Sequence, residues 1–417
     1  MELQSLRKTH KYRLNPTPEQ ERALETALGR CRVLYNVALE ERKTAWERCG
    51  VSLTYYHQAN ELPDLKTTCP EYGEVHSQVL QDVVRRAERS FQNFFRRIRE
   101  GEKPGYPRYQ GRNRYHSFTY PQYGNGVTLD GGVLSLSKIG RIPIRLHRPL
   151  QGTPKTVTIS WEADGWYACF SCADVPVQPL PATGQETGID LGIEAFATLS
   201  NGQRVFHPGW YRQAERALKI AQRRVSRRKK GSNRRSKVVT LLAKAHQQVK
   251  RQRADFHHKT ALALVQQNDT IYHEDLRTAN MIRNHHLAKS ISDAGWAAFL
   301  GILAAKAAYA GKRVVAVPPA YTSQRCSGCG VLVSTGLSVR WHACSECGVS
   351  LHRDHNAAKN IERAGQALRG GVALAASENR EAPAFSRGEH VTVMPERAPA
   401  CARLAADMVL LPPLHAI

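Results

Sequence analysis

Apolar residues recur at helical spacing early in the chain. Leu24, Leu28, Cys31, Leu34, Tyr35 and Ala38 lie three or four positions apart or adjoin on one face, the stripe of an amphipathic helix. The run opens with Thr17-Pro18-Glu19-Gln20. Thr17 is placed to cap, Pro18 suits the first helical position and Gln20 completes a capping box. Residues 6–14, ahead of it, read as a strand. A second helical run over about 77–99 ends in FFRRIRE; Phe91, Phe94 and Phe95 read as core beside the basic flank Arg96, Arg97 and Arg99. The spacing therefore predicts a helical bundle with a basic face in the first hundred residues.

From Pro104 the period changes. VTLD, VLSLS, RIPIRL, TVTISW and WYACFSC alternate between turn residues, which predicts a small β-barrel or sheet. A proline-rich break, DVPVQPLPATGQE, closes this half near residue 186. TGIDLGIEAFATLSNGQRVF then reads as two strands joined at Asn201-Gly202. A helical pair over about 210–267, the strand DTIYHEDL, a helix around 292–311, the strand RVVAVPP and a final helix in HRDHNAAKNIERAGQAL follow. Strands and helices in that alternation predict an α/β layer. From Gly371 onward no period is sustained, prolines are scattered, and four arginines face five acidic residues. That composition predicts a disordered tail.

Charge changes the picture. Sixty Lys and Arg stand against 36 Asp and Glu, a net charge of +24 over 417 residues. Such an excess attracts polyanions, and nucleic acid rewards it because each neutralised phosphate releases counterions. A merely soluble or ribosomal basic protein is the plainer alternative. No stretch approaches the roughly 18 to 20 apolar residues that cross a bilayer. The opening MELQSLRKTHKYRL has no apolar signal core. A cytoplasmic, nucleoid-associated chain with reduced cysteines is expected, so its ten cysteines read as metal ligands or buried thiols.

Four of those cysteines carry chemistry. Cys326 and Cys329, then Cys344 and Cys347, form two CxxC pairs with 14 residues between them. Each pair presents two thiolates from a tight turn, and Gly328, Gly330 and Gly348 suit such turns. Two pairs complete the tetrahedral sulfur set of a structural zinc ion, with no ligand position left for catalysis. Cys169 and Cys172 share the CxxC spacing but sit in an expected strand, where residues three apart face opposite sides. They read as ordinary buried cysteines.

Three acids stand where an α/β nuclease would use them. Asp190 lies in the apolar strand TGIDLGI, Glu274 ends TIYHEDL, and Asp354 begins DHNAAKNIERA. A carboxylate among apolar residues is costly unless it is paired or binds a cation. Three brought together would make an oxygen site for Mg²⁺, and two such ions could activate water and stabilise the leaving oxygen of a phosphodiester. Alone, each admits a plainer role: Asp190 a turn residue, Glu274 a surface ion-pair partner, Asp354 a helix cap. Asp275 competes with Glu274.

Residues 222–237, QRRVSRRKKGSNRRSK, hold nine basic residues in 16 positions and no acids. Arg223, Arg224, Arg227, Arg228, Lys229, Lys230, Arg234 and Arg235 are therefore candidate phosphate contacts, which track backbone and read no sequence. Between 106 and 123, six aromatics alternate with Arg108, Arg112 and Arg114. Tyr106, Arg108 and Arg112 are candidates for stacking and phosphate contact, while barrel packing accounts equally well for the aromatics.

In order along about residues 6–368, FFRRIREGEKPGYPRYQGR, TGIDLGI, IYHEDLRTANM, YTSQRCSGCG, the second CxxC and RDHNAAKNI resemble TnpB, the transposon-encoded relative of type V CRISPR effector nucleases. The resemblance implies an RNA-guided DNA endonuclease with multidomain α+β architecture. It implies a wedge-like β-barrel at 1–15 and 104–180, interrupted by a helical recognition domain at 16–103. A RuvC/RNase H-like α/β nuclease domain at 187–320 and 349–369, with an inserted zinc ribbon at 321–348, would follow, then the tail at 370–417. By resemblance Asp190, Glu274 and Asp354 take the places of the catalytic triad, and the four cysteines those of the zinc ligands. A transposon-derived guide RNA, target double-stranded DNA with a short flanking motif, two catalytic Mg²⁺, one structural Zn²⁺ and a monomer in the ribonucleoprotein are implied as well. Many relatives carry DRD before the final helix; here His352 replaces the first acid. A transposase acting on its own transposon ends, or a nuclease-inactive RNA-guided repressor, are the rival readings.

Overall fold

The computed structural model describes residues 5–334, 336 and 339–375. Most of the expected tail, 376–417, lies outside the described residues. The described chain falls into two compact units, Arg7–Val175, and residues 5–6 together with the residues from Pro176 onward.

In the first unit, strand β1 (Ser5–Leu14) buries His10, Tyr12 and Leu14, every second residue, as the two-residue strand period requires. Helix α1 (Pro18–Cys49) starts where Thr17 predicts. The Thr17 side chain accepts from Gln20 N, and Gln20 Oε1 in turn accepts from Thr17 N. Leu24, Cys31, Leu34, Tyr35 and Ala38 are buried along its stripe. Short helices α2 (Tyr55–Asn60) and α3 (Leu62–Thr68) lead to α4 (Ser77–Arg99), which packs on α1 through Val79, Leu80, Val83, Val84 and Ala87. The FFRRIRE end is not core as expected: Phe95 is 55% exposed, Phe91 and Phe94 only half-buried. The burying face of α4 runs out before the helix does.

Strands β2 (Ser117–Tyr120), β3 (Val127–Asp130), β4 (Val133–Leu136), β5 (Gly140–Arg145), β6 (Thr153–Glu162) and β7 (Gly165–Pro176) join β1 in one seven-stranded sheet, ordered β2-β6-β7-β1-β5-β4-β3. Its ends approach each other. Tyr120 Oη on β2 donates to Ser137 O just beyond β4, 3.2 Å away, so the sheet curls into a nearly closed barrel. Trp166, Ala168, Phe170 and Cys172 of β7 face inward while Cys169 faces the other side. Arg86 of α4 donates to Ser117 O at 2.7 Å and to Asp82, tying the helices to β2.

The second unit centres on a five-stranded sheet ordered β10-β9-β8-β11-β12. Its strands are β8 (Glu186–Asp190), β9 (Ala197–Leu199), β10 (Arg204–Val205), β11 (Thr270–Glu274) and β12 (Arg313–Val317). The first three run antiparallel in sequence order, whereas β11 lies parallel between β8 and β12. Helices α5 (Trp210–Ser226) and α6 (Asn233–Gln267) form the expected pair. Helix α7 (Thr278–Met281) is one short turn. The expected helix around 292–311 is two, α8 (His285–Ala294) and α9 (Trp296–Tyr309), broken at Gly295, whose φ of +66° favours glycine. By length and apolarity 285–309 could span a bilayer. Here Ile291, Ala294, Trp296, Phe299, Leu303 and Ala307 instead enter a core with Ile189, Phe196 and Ile271.

Strands β13 (Trp341–Ala343) and β14 (Ser350–His352) form a hairpin over the cysteines, so the hairpin reaches past the expected ribbon end at 348. The last helix, α10 (Arg353–Ala375), extends to Ala375. Residues 370–375, expected in the disordered tail, are the end of this helix instead.

Candidate active site and metal centre

Helix α10 lies across β8, β9 and β11 because two glycines let it approach. A Cβ on Gly188 of β8 would stand 2.1 Å from Ala358 O and 2.6 Å from Glu362 N. A Cβ on Gly365 of α10 would stand 1.9 Å from Cδ1 of Tyr272 on β11. Such separations are far inside van der Waals contact, so only glycine fits.

That close seat brings the three acids to one end of the sheet. Strands β8 and β11 pair in parallel with His273 opposite Ile189, and one further step of the register sets Glu274 beside Asp190. Asp354 begins α10 and is 8% exposed. Burial first, then the charges of Glu274 and Asp354, hold the Asp190 carboxyl well above the usual carboxylate range. Burial raises Glu274 too, opposed by a hydrogen bond from Thr322 Oγ1 to its Oε1. Asp275, the competitor, is exposed and its main chain continues the ladder to Val317 O at 2.8 Å. A buried carboxylate whose ionisation two neighbouring carboxylates oppose belongs to a set that a divalent cation would satisfy.

His352 closes the site at the start of α10. Its Nδ1 accepts from Asp354 N at 3.2 Å, so the imidazole caps the helix as the acid of DRD would. Its Nε2 lies 3.8 Å from Glu194. Ligand atoms of Glu194, His352 and Asp354 all fall within 4.8 Å of one another. Glu194 is also held by Arg204 at 2.6 Å and lies 3.8 Å from Arg340. Glu194 was not legible as part of the site, and His352 was legible only as the residue in the place of the first acid of DRD, not as a cap. The only signal for Glu194 was a carboxylate four residues after Asp190.

The cysteine pairs converge. All four sulfurs lie within 4.8 Å of one another. Cys326 and Cys347 Sγ are 3.5 Å apart and Cys329 and Cys344 Sγ 3.6 Å, too far for disulfides. Tetrahedral Zn–S bonds of about 2.3 Å place sulfurs about 3.8 Å apart, so the set fits zinc. Although burial opposes it, donors from Cys329 N, His342 and Gly328 N bring the Cys326 thiol down to about 5. The Val349 backbone N–H pulls Cys347 down, but burial and the three neighbouring sulfurs outweigh it and push Cys347 up to about 12. Four adjacent thiolates need a cation to coexist.

The basic run is displayed around the α5–α6 turn. Arg223, Arg224, Arg227, Arg228, Lys229, Lys230 and Arg234 are exposed. Arg235 is used within the fold: it donates to Val225 O at 2.6 Å and to Arg228 O at 3.0 Å, closing the end of α5. In the first unit Phe118 and Tyr120 are buried on β2 and Tyr115 is buried against Tyr35 of α1, so the interleaved aromatics split. Tyr106, Arg108 and Arg112 are exposed, with Tyr106 edge-on to Phe91 and Phe94.

Comparisons with known proteins show the family and the fold. Residues 170–285 match the IS605 OrfB family model described as "Probable transposase", and 296–361 the model described as "Cas12f1-like, TNB domain". Residues 1–50 match a "Helix-turn-helix domain", although 5–49 here fold as one strand and one long helix. A Streptomyces pristinaespiralis protein named "Putative RNA-guided DNA endonuclease" is 36% identical over 88% of this chain and 91% of its own. The Escherichia coli K12 protein named "Putative RNA-guided DNA endonuclease InsQ" is 32% identical over 86% and 92%. Among solved structures, a Cas12f1–sgRNA–target DNA complex shares the fold with a TM-score of 0.54 at 13% identity, over 83% of each chain. The mini-RNA-guided endonuclease CRISPR-Cas phi3 does so at 0.51 and 10%, over 87% and 92%. With more than a third of its residues shared over nearly the full length of a relative, and with its acids and cysteines gathered as described, the chain belongs to the TnpB family, the OrfB proteins of IS605-type transposons.

Proposed function

We propose that this chain is an RNA-guided DNA endonuclease that cuts DNA matched to a transposon-derived guide, next to a short flanking motif. One observation carries the reading: Asp190 and Glu274 end adjacent parallel strands and Asp354 starts the helix laid across them. The 3-2-1-4-5 strand order of this unit is that of an RNase H-like layer, which supports assigning it as the RuvC nuclease domain.

Asp190, Glu274 and Asp354 would hold the catalytic ions. Mg²⁺ bound there supplies an activated water and stabilises the leaving oxygen of the phosphodiester. The protein's own part is to keep the three carboxylates together and partly dry, so that each is a strong ligand. Cys326, Cys329, Cys344 and Cys347 would hold one structural Zn²⁺ and keep the hairpin β13–β14 in place. The seven exposed basic residues around the α5–α6 turn, with Tyr106, Arg108 and Arg112, would contact backbone phosphate and bases of the guide and target. Base pairing, not side chains, would then read the sequence. The barrel with β1 would serve as the wedge, α1–α4 as the recognition domain, and the whole would act as a monomer in a ribonucleoprotein beside the nucleoid.

The test is a guide swap. The RNA that copurifies with the chain is sequenced, its 3′ variable segment is replaced, and linear product is measured from plasmids matching the old or new segment. Cutting should follow the new segment, need Mg²⁺ and vanish in Asp190→Ala. Equal cutting without RNA would favour a transposase. Relocated binding without cutting would make the chain a repressor.

A further inference from the structure

Thr322 is joined to the nuclease centre and to the cysteine cluster at once. It is 8% exposed and lies in YTSQRC, four residues before Cys326. Its hydroxyl has one proton and two acceptors in reach, Glu274 Oε1 and Pro319 O, the latter at 3.2 Å. An ionised carboxylate outcompetes a neutral carbonyl for that proton, so the bond goes to Glu274. A bond to Oε1 fixes the rotamer and leaves Oε2 to a cation.

Helix α10 holds Thr322 still. Asn360 Nδ2 donates to Thr322 O at 2.9 Å and to Arg325 O at 2.5 Å. Asn356 Nδ2 donates to Arg325 O at 2.7 Å, and its Oδ1 accepts from Ser327 N at 2.8 Å. Arg363 donates to Ser327 O at 2.5 Å. Asn356, Asn360 and Arg363 are spaced four and three apart, on one face of the helix. Asn356 and Asn360 are 0% and 7% exposed, where an unmet amide N–H is expensive; Asn356 is met at both amide atoms and Asn360 at Nδ2. Segment 322–327 is thus stapled along the helix whose first turn carries Asp354. One side chain of the staple reaches back to Glu274.

We propose that Thr322 is a positioning residue for DNA cleavage: its hydroxyl holds the Glu274 carboxylate in the orientation that ligates a divalent cation, and Asn356 and Asn360 of α10 hold Thr322. This rests on the reading that Glu274 is a cation ligand. It also makes the first cysteine knuckle part of the nuclease frame, since Thr322 and Cys326 share one short stapled segment.

The experiment uses the full chain with its copurified RNA and a matched target bearing the flanking motif. Single-turnover cutting is measured across a Mg²⁺ series for wild type, Thr322→Ser, Thr322→Val, Asn360→Ala and Glu274→Gln, with zinc content and target binding recorded for each. Removing a partner that orients a metal ligand costs about 10- to 100-fold in metal affinity or activity. Thr322→Val should therefore cut about 10- to 100-fold more slowly at limiting Mg²⁺ and need more Mg²⁺ for half its maximum rate, with zinc and target binding unchanged. Thr322→Ser keeps the hydroxyl and should restore both, and Asn360→Ala should raise the Mg²⁺ requirement in the same direction. Wild-type Mg²⁺ dependence in Thr322→Val, equal loss in Thr322→Ser, or loss of zinc or target binding in Thr322→Val would each overturn the proposal. Wild-type cutting by Glu274→Gln would overturn the active-site reading itself, a different and separable result.

Discussion

The Cβ that Gly365 lacks would stand 1.9 Å from Cδ1 of Tyr272, and the ring has nowhere to go. Tyr272 is fully buried and its Oη donates to Glu186 at 3.1 Å. In a helix, Gly→Ala ordinarily stabilises by about 0.5–1 kcal/mol. Here the overpacking cost of about 1–3 kcal/mol wins. Gly365→Ala should lower the melting temperature, and Gly188→Ala should lower it further, because the Gly188 Cβ meets the α10 backbone. Both should slow cutting by tilting Asp354 away from Asp190. Thermal melts and cutting rates check this; a stabilised Gly365→Ala would refute the close seat.

A second expectation concerns pH. Without Mg²⁺, burial and two neighbouring carboxylates raise Asp190 in the folded chain. A carboxyl raised above its unfolded value binds more protons when folded, so its ionisation costs stability as pH climbs from the unfolded value toward the raised one. Asp190→Asn should therefore melt higher than wild type at pH 7.5 without Mg²⁺, by about 2–4 °C for each kcal/mol released. The advantage should shrink toward pH 4 and on adding Mg²⁺, while cutting is lost. A lower melting temperature for Asp190→Asn at pH 7.5 would show that Asp190 is satisfied by the protein alone.

Metal content tests the cysteines. The purified chain should hold close to one zinc. Cys344→Ser should lose it and loosen the hairpin β13–β14, since the binding free energy of a structural zinc is folding free energy. Cys169→Ser and Cys172→Ser should keep it, because those side chains lie on opposite faces of β7. Elemental analysis decides; zinc-free wild type would refute the assignment.

The basic turn separates two kinds of arginine. Replacing Arg227, Arg228, Lys229 and Lys230 with Gln should weaken nucleic-acid binding uniformly across sequences. It should also flatten the salt dependence by about 0.7–0.9 for each phosphate that is no longer neutralised. Arg235→Gln should instead lower the melting temperature with little change in salt slope, because its guanidinium is bonded to Val225 O and Arg228 O. Binding isotherms at several salt concentrations distinguish the two.

The sequence alone determined what depends on neighbours along the chain. Thr17, Pro18 and Gln20 specify where α1 starts, because a capping box is local chemistry. The alternation in WYACFSC determined which residues of β7 face inward, and the CxxC spacing determined which sulfurs could share an ion. Tertiary structure decided the rest, because it rests on contacts across large sequence separations. FFRRIRE carries a helical pattern, yet nothing in it says that the partner face stops before Phe95. Arg235 is one of eight equivalent-looking cations until the turn folds its guanidinium onto the end of α5. Glu274 and Asp275 are neighbours in sequence, and only the parallel register with β8 sets Glu274 beside Asp190. Thr322, Asn356 and Asn360 are unremarkable polar residues until α10 is laid along segment 322–327, with 29 to 38 residues separating the bonded partners. Burial there makes the amide N–H groups of Asn356 and Asn360 and the Thr322 hydroxyl fixed donors, because an unmet buried donor is costly.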